Sequence, residues 1–306
     1  MGDGIDRAPP PGGRENHHPT PIMTSTAVTW WGHSTCTIED RGVRVLTDPL
    51  FCSRLGHLRR RRGPPPGDRS LRADLAIVSH LHADHLHVGS LALLPRHVPV
   101  VVPRGALRAV PDLRRLRDRE FVEVSPGDAV NVGDLVVEAV PADHDDRRWR
   151  WSRRRAPALG YVVSGEGRTY FAGDTDRSDT VREAVGRCDI ALLPVGGWGP
   201  TLGSGHLDPE RAAGFLAELD ACHAVPVHFG TMWPIGLGPV RPDRFHRPGT
   251  EFTVHAAQLG LACSVRELQP GETARFVLPD RASRDRPRAS GRPLVGGRTS
   301  ASTSDQ

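Results

Sequence analysis

The chain contains no lysine: all 40 of its basic side chains are arginine. Loss of one common residue beside abundant Arg, Ala, Gly and Pro is a mark of codon composition, so no single arginine run can be taken as functional on its own. Tyrosine (2), methionine (3) and cysteine (5) are also scarce. The cysteines, Cys36, Cys52, Cys188, Cys222 and Cys263, are odd in number, scattered, and form no C-x-x-C pair. That argues against a disulfide framework and predicts reduced thiols in a cytoplasmic protein. No apolar run approaches the length of a membrane-crossing helix, and Met1-Gly2-Asp3-Gly4 begins no charged-then-apolar leader, so the chain is expected to be soluble. Gly-x-Ser-x-Gly turns, P-loops and dinucleotide fingerprints are missing as well. Chemistry built on a serine elbow or a phosphate-cradling loop is thereby disfavoured.

The hydrophobic fraction, 38%, is low for a globular protein, and the net charge is +4. The deficit is concentrated at the ends. Residues 1–22 are rich in Pro, Gly and charge, and residues 281–306 in Arg, Ser, Gly and Pro. Neither can bury enough surface to offset its ordering entropy, so both read as disordered tails around one domain, 23–280.

Within that domain, short strand-like runs recur in two sets. The first holds 27–30, 35–38, 43–46, 75–79, 98–102 and 135–140. The second holds 161–164, 169–172, 190–194, 224–228 and 272–278. Helical candidates fall between them at 88–94, 105–109, 180–186, 208–219 and 250–259. Asp208-Pro209-Glu210 is a good helix start, because Asp can cap free amides and Pro is tolerated at the first helical position. Gly249-Thr250-Glu251 is expected to open the last helix in the same way. Strand meanders with intervening helices, arranged twice, imply an α/β fold of two packed sheets with helices outside. No repeat at solenoid periods is present.

One stretch stands out. Ser79-His80-Leu81-His82-Ala83-Asp84-His85 follows the apolar run Leu75-Ala76-Ile77-Val78, at a strand's C-terminal end. Three imidazoles and a carboxylate placed so close together are costly to bury unless something satisfies their lone pairs, and a divalent metal does that. Imidazole with one carboxylate suits Zn²⁺, with Fe or Mn acceptable.

His80-x-His82-x-Asp84-His85 resembles the HxHxDH signature of the metallo-β-lactamase-fold hydrolases, and further signatures follow in that family's order. Thr47-Asp48-Pro49 closes an early strand, His144 follows Leu135–Val140, Gly173-Asp174-Thr175 follows Thr169–Ala172, and His228 follows Ala224–Val227. Trp31-Gly32-His33-Ser34-Thr35 and Leu46-Thr47-Asp48-Pro49 are similar to the opening of the branch that contains N-acyl-phosphatidylethanolamine phospholipase D and ascorbate-6-phosphate lactonase. His206-Leu207-Asp208-Pro209-Glu210 and Val227-His228-Phe229-Gly230-Thr231 resemble the HxDPEEA and HWGT elements of the phospholipase side. The matching region runs from about Thr29 to about Leu278.

The resemblance implies a four-layer αββα sandwich with two divalent ions, Zn or else Mn or Fe, where loops meet at the sheet edges. It implies His80, His82 and His144 on one metal, Asp84, His85 and His228 on the other, and Asp174 between them. Two cations a few ångströms apart need such an anionic bridge, and a metal-bound hydroxide would be the nucleophile. Asp84 and His206 are the expected catalytic side chains, with His206 protonating the leaving group or contacting an oxyanion. Asp48 is expected behind the ligands, fixing an imidazole tautomer, or else as an ordinary turn cap. His33 could line the site or pack structurally, and His57, His87, His97, His223, His246 and His255 carry no further expectation.

Two basic insertions interrupt the pattern. Arg59-Arg60-Arg61-Arg62, leading into Gly63-Pro64-Pro65-Pro66-Gly67, reads as a polar, semi-extended loop. Arg147-Arg148-Trp149-Arg150-Trp151 with Arg153-Arg154-Arg155 directly follows His144. It is either a solvated loop or an anion-binding, membrane-facing rim, since Arg binds phosphate bidentately and Trp suits water–apolar boundaries. On the second reading Arg148 and Arg150, with Trp198 of the Gly196-Gly197-Trp198-Gly199-Pro200 loop, would contact a small or lipid-like anionic substrate. The leading expectation is phosphodiester hydrolysis of a phospholipase D-like kind. The alternative is lactone or ester hydrolysis of a small polar or phosphorylated metabolite. Nucleic-acid binding is disfavoured, because the interval between Asp174 and His228 has no room for the extra domain of the superfamily's nucleases. A non-catalytic metal-binding role is disfavoured by the complete ligand set.

Overall fold

The structure, a computed structural model, describes residues 25–149 and 151–278. The two tails expected at 1–22 and 281–306 lie outside the described residues, as does Arg150.

Two seven-stranded sheets carry the fold. The first runs, in spatial order, Thr273–Val277, Ser25–Gly32, Thr35–Asp40, Val43–Thr47, Leu75–Ile77, Val100–Pro103 and Phe121–Val124. The second runs Ser264–Val265, His223–Val227, Ile190–Pro194, Arg168–Phe171, Leu159–Ser164, Leu135–Pro141 and Ala129–Val132. In each, an antiparallel meander gives way to parallel strands: Val45 pairs in parallel with Leu75 in the first, and Thr169 with Ile190 in the second.

Alternation along the strands sorts side chains into layers, because successive residues face opposite sides of a sheet. In the first sheet Val45, Leu75, Ile77 and Val101 join a core shared with Val137, Tyr161, Val163 and Phe171 of the second. Their neighbours Leu46, Ala76, Val100 and Val102 face outward onto Leu91 and Leu94 at helix Val88–Leu93, Ala106 of helix Ala106–Ala109 and Leu113 of the 3-10 turn Pro111–Arg115. On the far side, helices Asp179–Val185, Pro209–Leu219 and Pro248–Gln258 press Val181, Val185, Phe215, Leu216 and Phe252 onto the second sheet. The layers are helix, sheet, sheet, helix: the αββα sandwich that the resemblance implied.

Asp208 caps helix Pro209–Leu219 as expected, its Oδ1 accepting from Arg211 N at 2.9 Å. The last helix begins one residue earlier than Gly249, at Pro248, and no side chain caps it. Gly249 answers to packing instead, since a Cβ there would stand 2.6 Å from Phe229 Cζ.

The Arg59–Arg62 segment corrects the expectation of a polar, semi-extended loop. Leu58–Arg60 is a strand of a third, three-stranded sheet, paired antiparallel with Met232–Pro234 and Arg54–Leu55. Arg60 is buried and donates to the carbonyls of Leu50 at 2.9 Å, Trp31 at 3.3 Å and Cys52 at 3.4 Å. Its guanidinium joins the end of strand Ser25–Gly32 to the loop after Val43–Thr47, a use of arginine that its fork of donors permits. No helix among the described residues is long and apolar enough to cross a membrane.

Candidate metal centre

The site forms where strands of both sheets end on the same edge. His80–His85 follows Leu75–Ile77, Asp48 follows Val43–Thr47, and His33 follows Ser25–Gly32. From the second sheet, His144 follows Leu135–Pro141, Asp174 follows Arg168–Phe171, and His228 follows His223–Val227. The loops leave their strands abruptly. His33, Asp48 and His228 take φ of 53°, 34° and 61°, a region that side-chain-bearing residues seldom adopt. Such strain persists only where surrounding contacts over-determine it, and it gathers at functional sites. Gly32, at φ 104°, has no alternative, since a Cβ there would meet Arg60 Nη1 at 2.7 Å and Thr231 Cγ2 at 2.8 Å.

Four of the imidazoles are oriented from behind. His85 Nδ1 lies 2.7 Å from Asp48 Oδ2, His228 Nδ1 is 2.9 Å from Gly196 O, and His144 Nδ1 is 2.7 Å from Gly205 O. All three partners accept, so these Nδ1 atoms carry the hydrogen. Ser79 Oγ donates to Asp48 Oδ2 at 2.7 Å and therefore accepts from His80 Nδ1 at 2.9 Å. A neutral imidazole whose Nδ1–H is engaged presents a lone pair at Nε2. Four such lone pairs then point at one another and at carboxylates. His85 Nε2 faces His228 Nε2 at 3.1 Å. Asp174 Oδ1, buried with no hydrogen-bond donor, has His228 Nε2 3.2 Å away, while its Oδ2 has His85 Nε2 at 3.2 Å and His206 Nε2 at 3.4 Å.

Acceptors facing acceptors in a buried site require a cation between them, a metal ion or a proton. His82 Nδ1 stands 3.0 Å from His80 Nε2 and 3.2 Å from His144 Nε2. Two nitrogens bound to one tetrahedral Zn²⁺ would be roughly 3.3 Å apart, so these separations fit ligand pairs. The donor atoms of His80, His82 and His144 lie within 4.8 Å of one another, as do those of His33, Asp84, His85 and His228, and those of His144, Asp174 and His206.

Protonation follows from the surroundings. Burial, reinforced by neighbouring imidazoles, holds His80 well below the ordinary histidine range, and burial lowers His82 and brings His144 to about 4. These are the neutral forms that coordinate metal. His85 goes the other way: burial disfavours its charge, but Asp174, Asp84 and Asp48 outweigh it, so a proton competes with a metal ion for its Nε2. His206 is raised too, the Asp174 carboxylate overcoming burial. Asp84 and Asp174 stay ionised although burial opposes it, because imidazoles surround them.

The structure thus brings together His80, His82, Asp84, His85, His144, Asp174, His206 and His228, with Asp48 behind His85. His33, left open by the sequence, is buried with Nε2 2.8 Å from Asp84 Oδ2, so it orients that carboxylate. Its main chain accepts from His228 N at 2.9 Å, and its own N–H donates to Thr231 Oγ1 at 2.9 Å. The carbonyl acceptors Gly196 and Gly205 were also missed; only their place in glycine-rich segments, beside Trp198 and His206, could have signalled them. His87 and His57 have local uses, His87 Nδ1 accepting from Ser90 N at its helix start and His57 meeting the Trp198 ring edge-on. Trp198 is 38% exposed, two residues beyond the carbonyl that orients His228.

Arg148, an anion contact on one of the two readings of its loop, is part-buried, and its Nη1 donates to the carbonyls of Leu81 and Leu86, the latter at 2.8 Å. Trp149 and Trp151 beside it are exposed.

A family model described as a beta-lactamase superfamily domain matches residues 43–229. A UPF0173 metal-dependent hydrolase of Methanopyrus kandleri is 31% identical over 252 residues, 80% of this chain and 98% of that protein. N-acyl-phosphatidylethanolamine-hydrolyzing phospholipase D 1 of Caenorhabditis elegans is 28% identical over 237 residues, covering 68% of this chain and 64% of the relative. An uncharacterized protein of Mycobacterium tuberculosis is 32% identical over 67% of this chain, which spans 59% of that relative's length. Among solved structures, Igni18, a metallo hydrolase of the archaeon Ignicoccus hospitalis, superposes with a TM-score of 0.62 at 22% identity, over 83% of this chain and 99% of that one.

Proposed function

The chain belongs to the beta-lactamase superfamily, and from that premise we propose that it is a dinuclear-metal hydrolase acting on a phosphodiester of phospholipase D-like kind. The observation that carries the metal reading is the meeting of His228 Nε2, whose ring hydrogen is spent on Gly196 O, with Asp174 Oδ1, which has no donor, 3.2 Å away. His80, His82 and His144 would hold one ion, Asp84, His85 and His228 the other, and Asp174 would lie between. Imidazole and carboxylate donors favour Zn²⁺, and Mn or Fe accept the same set. When bound, such a pair of ions brings the pKa of water to about 7 and polarises a phosphoryl oxygen.

The chain's own residues do the rest. His33 holds the Asp84 carboxylate, and Asp48 holds His85. His206 Nδ1–H donates to Ser204 O at 3.1 Å, leaving Nε2, beside Asp174, to carry a proton to the departing oxygen. The exposed rings of Trp149, Trp151 and Trp198 suit the boundary of a lipid-like substrate and peripheral contact with a membrane surface. The His206-to-Glu210 and Val227-to-Thr231 elements and the nematode phospholipase relative support the phosphodiester class. The scattered cysteines favour a cytoplasmic setting.

One observation favours lactone or ester hydrolysis instead: Arg148 spends Nη1 on main chain, which leaves less of its fork for a phosphate. Turnover of a bis-aryl phosphate, a lactone and a thioester by the Zn²⁺-loaded chain separates the two. The phosphodiester reading expects cleavage of the first. Turnover of the lactone alone would replace it with the second.

A further inference from the structure

The loop after His144 and the loop carrying His82, Asp84 and His85 hang from different sheets, and one side chain joins them. Arg148 Nη1 donates to Leu81 O and Leu86 O, so a single guanidinium nitrogen grips both ends of the segment that contains three of the expected metal-binding side chains. Leu81 and Leu86 are fully buried, where a carbonyl without a donor is costly. The arginine's own segment is braced. Arg147 forks onto Asp145 at 2.8 and 2.7 Å, Arg155 Nη1 pairs with Asp146 Oδ1 at 2.7 Å, and Ala156 N donates to Asp146 O at 2.9 Å. Residues 147 and 155 form a bridge that closes the loop.

His82 is where this bracing counts. His80, His85, His144 and His228 each have Nδ1 held by an acceptor from behind, whereas His82 turns Nδ1 itself toward the cluster, 3.0 Å from His80 and 3.2 Å from His144. Its aim therefore rests on the backbone that Arg148 holds. We propose that Arg148 is a positioning residue of the metal centre, clamping the Leu81–Leu86 segment so that His82 meets His80 and His144 around one ion. The inference rests on the metal-centre reading above, and it gives the arginine-rich loop a purpose other than substrate binding.

The test titrates Zn²⁺ into the full-length wild-type chain and the Arg148→Ala, Arg148→Met and Arg148→Lys variants, in competition with a chromophoric chelator. Melting of each metal-free protein is followed in parallel. Loss of the clamp should weaken one of about two Zn²⁺ equivalents by roughly 10–100-fold, the range for groups that orient metal ligands. Arg148→Lys should fall between, because one ammonium lacks the guanidinium's planar spread. Ethylguanidinium added to Arg148→Ala should restore affinity, which a purely structural lesion would not show. Arg153→Ala, an exposed change in the same loop, should bind as wild type. If Arg148→Ala does not fold, Arg148→Met, which keeps the apolar stem, and Arg148→Lys carry the test. Wild-type Zn²⁺ affinity in any folded Arg148 variant overturns the proposal and leaves the metal centre standing. Failure of the wild-type chain to bind Zn²⁺ overturns both.

Discussion

Asp48 accepts three hydrogen bonds in a fully buried position: from Ser79 N at 2.7 Å, Ser79 Oγ at 2.7 Å and His85 Nδ1 at 2.7 Å. Removing it frees the His85 ring and leaves buried donors unmet. Asp48→Ala is therefore expected to lower Zn²⁺ affinity by roughly 10–100-fold, measured by chelator competition; unchanged affinity would make Asp48 a turn residue only. His206 makes the opposite prediction. His206→Ala should keep both metals but lower kcat by roughly 10²–10⁴-fold, as for general acid–base or oxyanion groups. Loss of a metal equivalent in that variant would make His206 a ligand. The donors themselves were legible, because His and Asp in the HxHxDH order have few other uses at a strand end. The contacts that aim them were not. His33 reaches Asp84 across 51 positions, and Gly205 O reaches His144 across 61. Arginine, abundant throughout the chain, gave no local sign that Arg60 and Arg148 would turn inward.

At the scale of elements, the turn after Arg168–Phe171 has almost no freedom. Gly173 sits at φ 62°, and a Cβ there would lie 2.5 Å from Ser79 Cβ and 3.1 Å from Leu159 O. Gly173→Ala should thus cost more than about 1 kcal/mol, from the backbone conformation and the clash together. It should also reduce bound metal, since Ser79 and Asp174 flank the contact. Calorimetric melting with metal analysis checks both; an unchanged melt would show that the turn yields. Strands and helices of five or more residues were mostly legible from alternation and capping. Arg54–Leu55, Leu58–Arg60 and Met232–Pro234 were not, because two or three residues carry no period and their pairing joins positions far apart in the chain.

For the molecule as a whole, two sheets place the C-terminal ends of their strands on one edge, and each supplies part of the ligand set. Neither sheet alone holds the centre: His80, His82, Asp84 and His85 come from one, and His144, Asp174 and His228 from the other. Metal should therefore bind the assembled sandwich and stabilise it by mass action, about 2.7 kcal/mol at a free concentration one hundred times Kd. Two packed sheets were legible in the two sets of strand runs, but the sets are not the sheets: Leu135–Pro141 pairs in the second sheet and Thr273–Val277 in the first, exchanges that strand periodicity does not signal. The most direct measurement is elemental analysis of the purified chain together with its hydrolytic rate, before and after chelation and in His82→Ala and Asp174→Ala. The account predicts about two divalent ions per chain, and metal content and hydrolysis falling together on chelation and in both variants. A metal-free chain with full activity would contradict it.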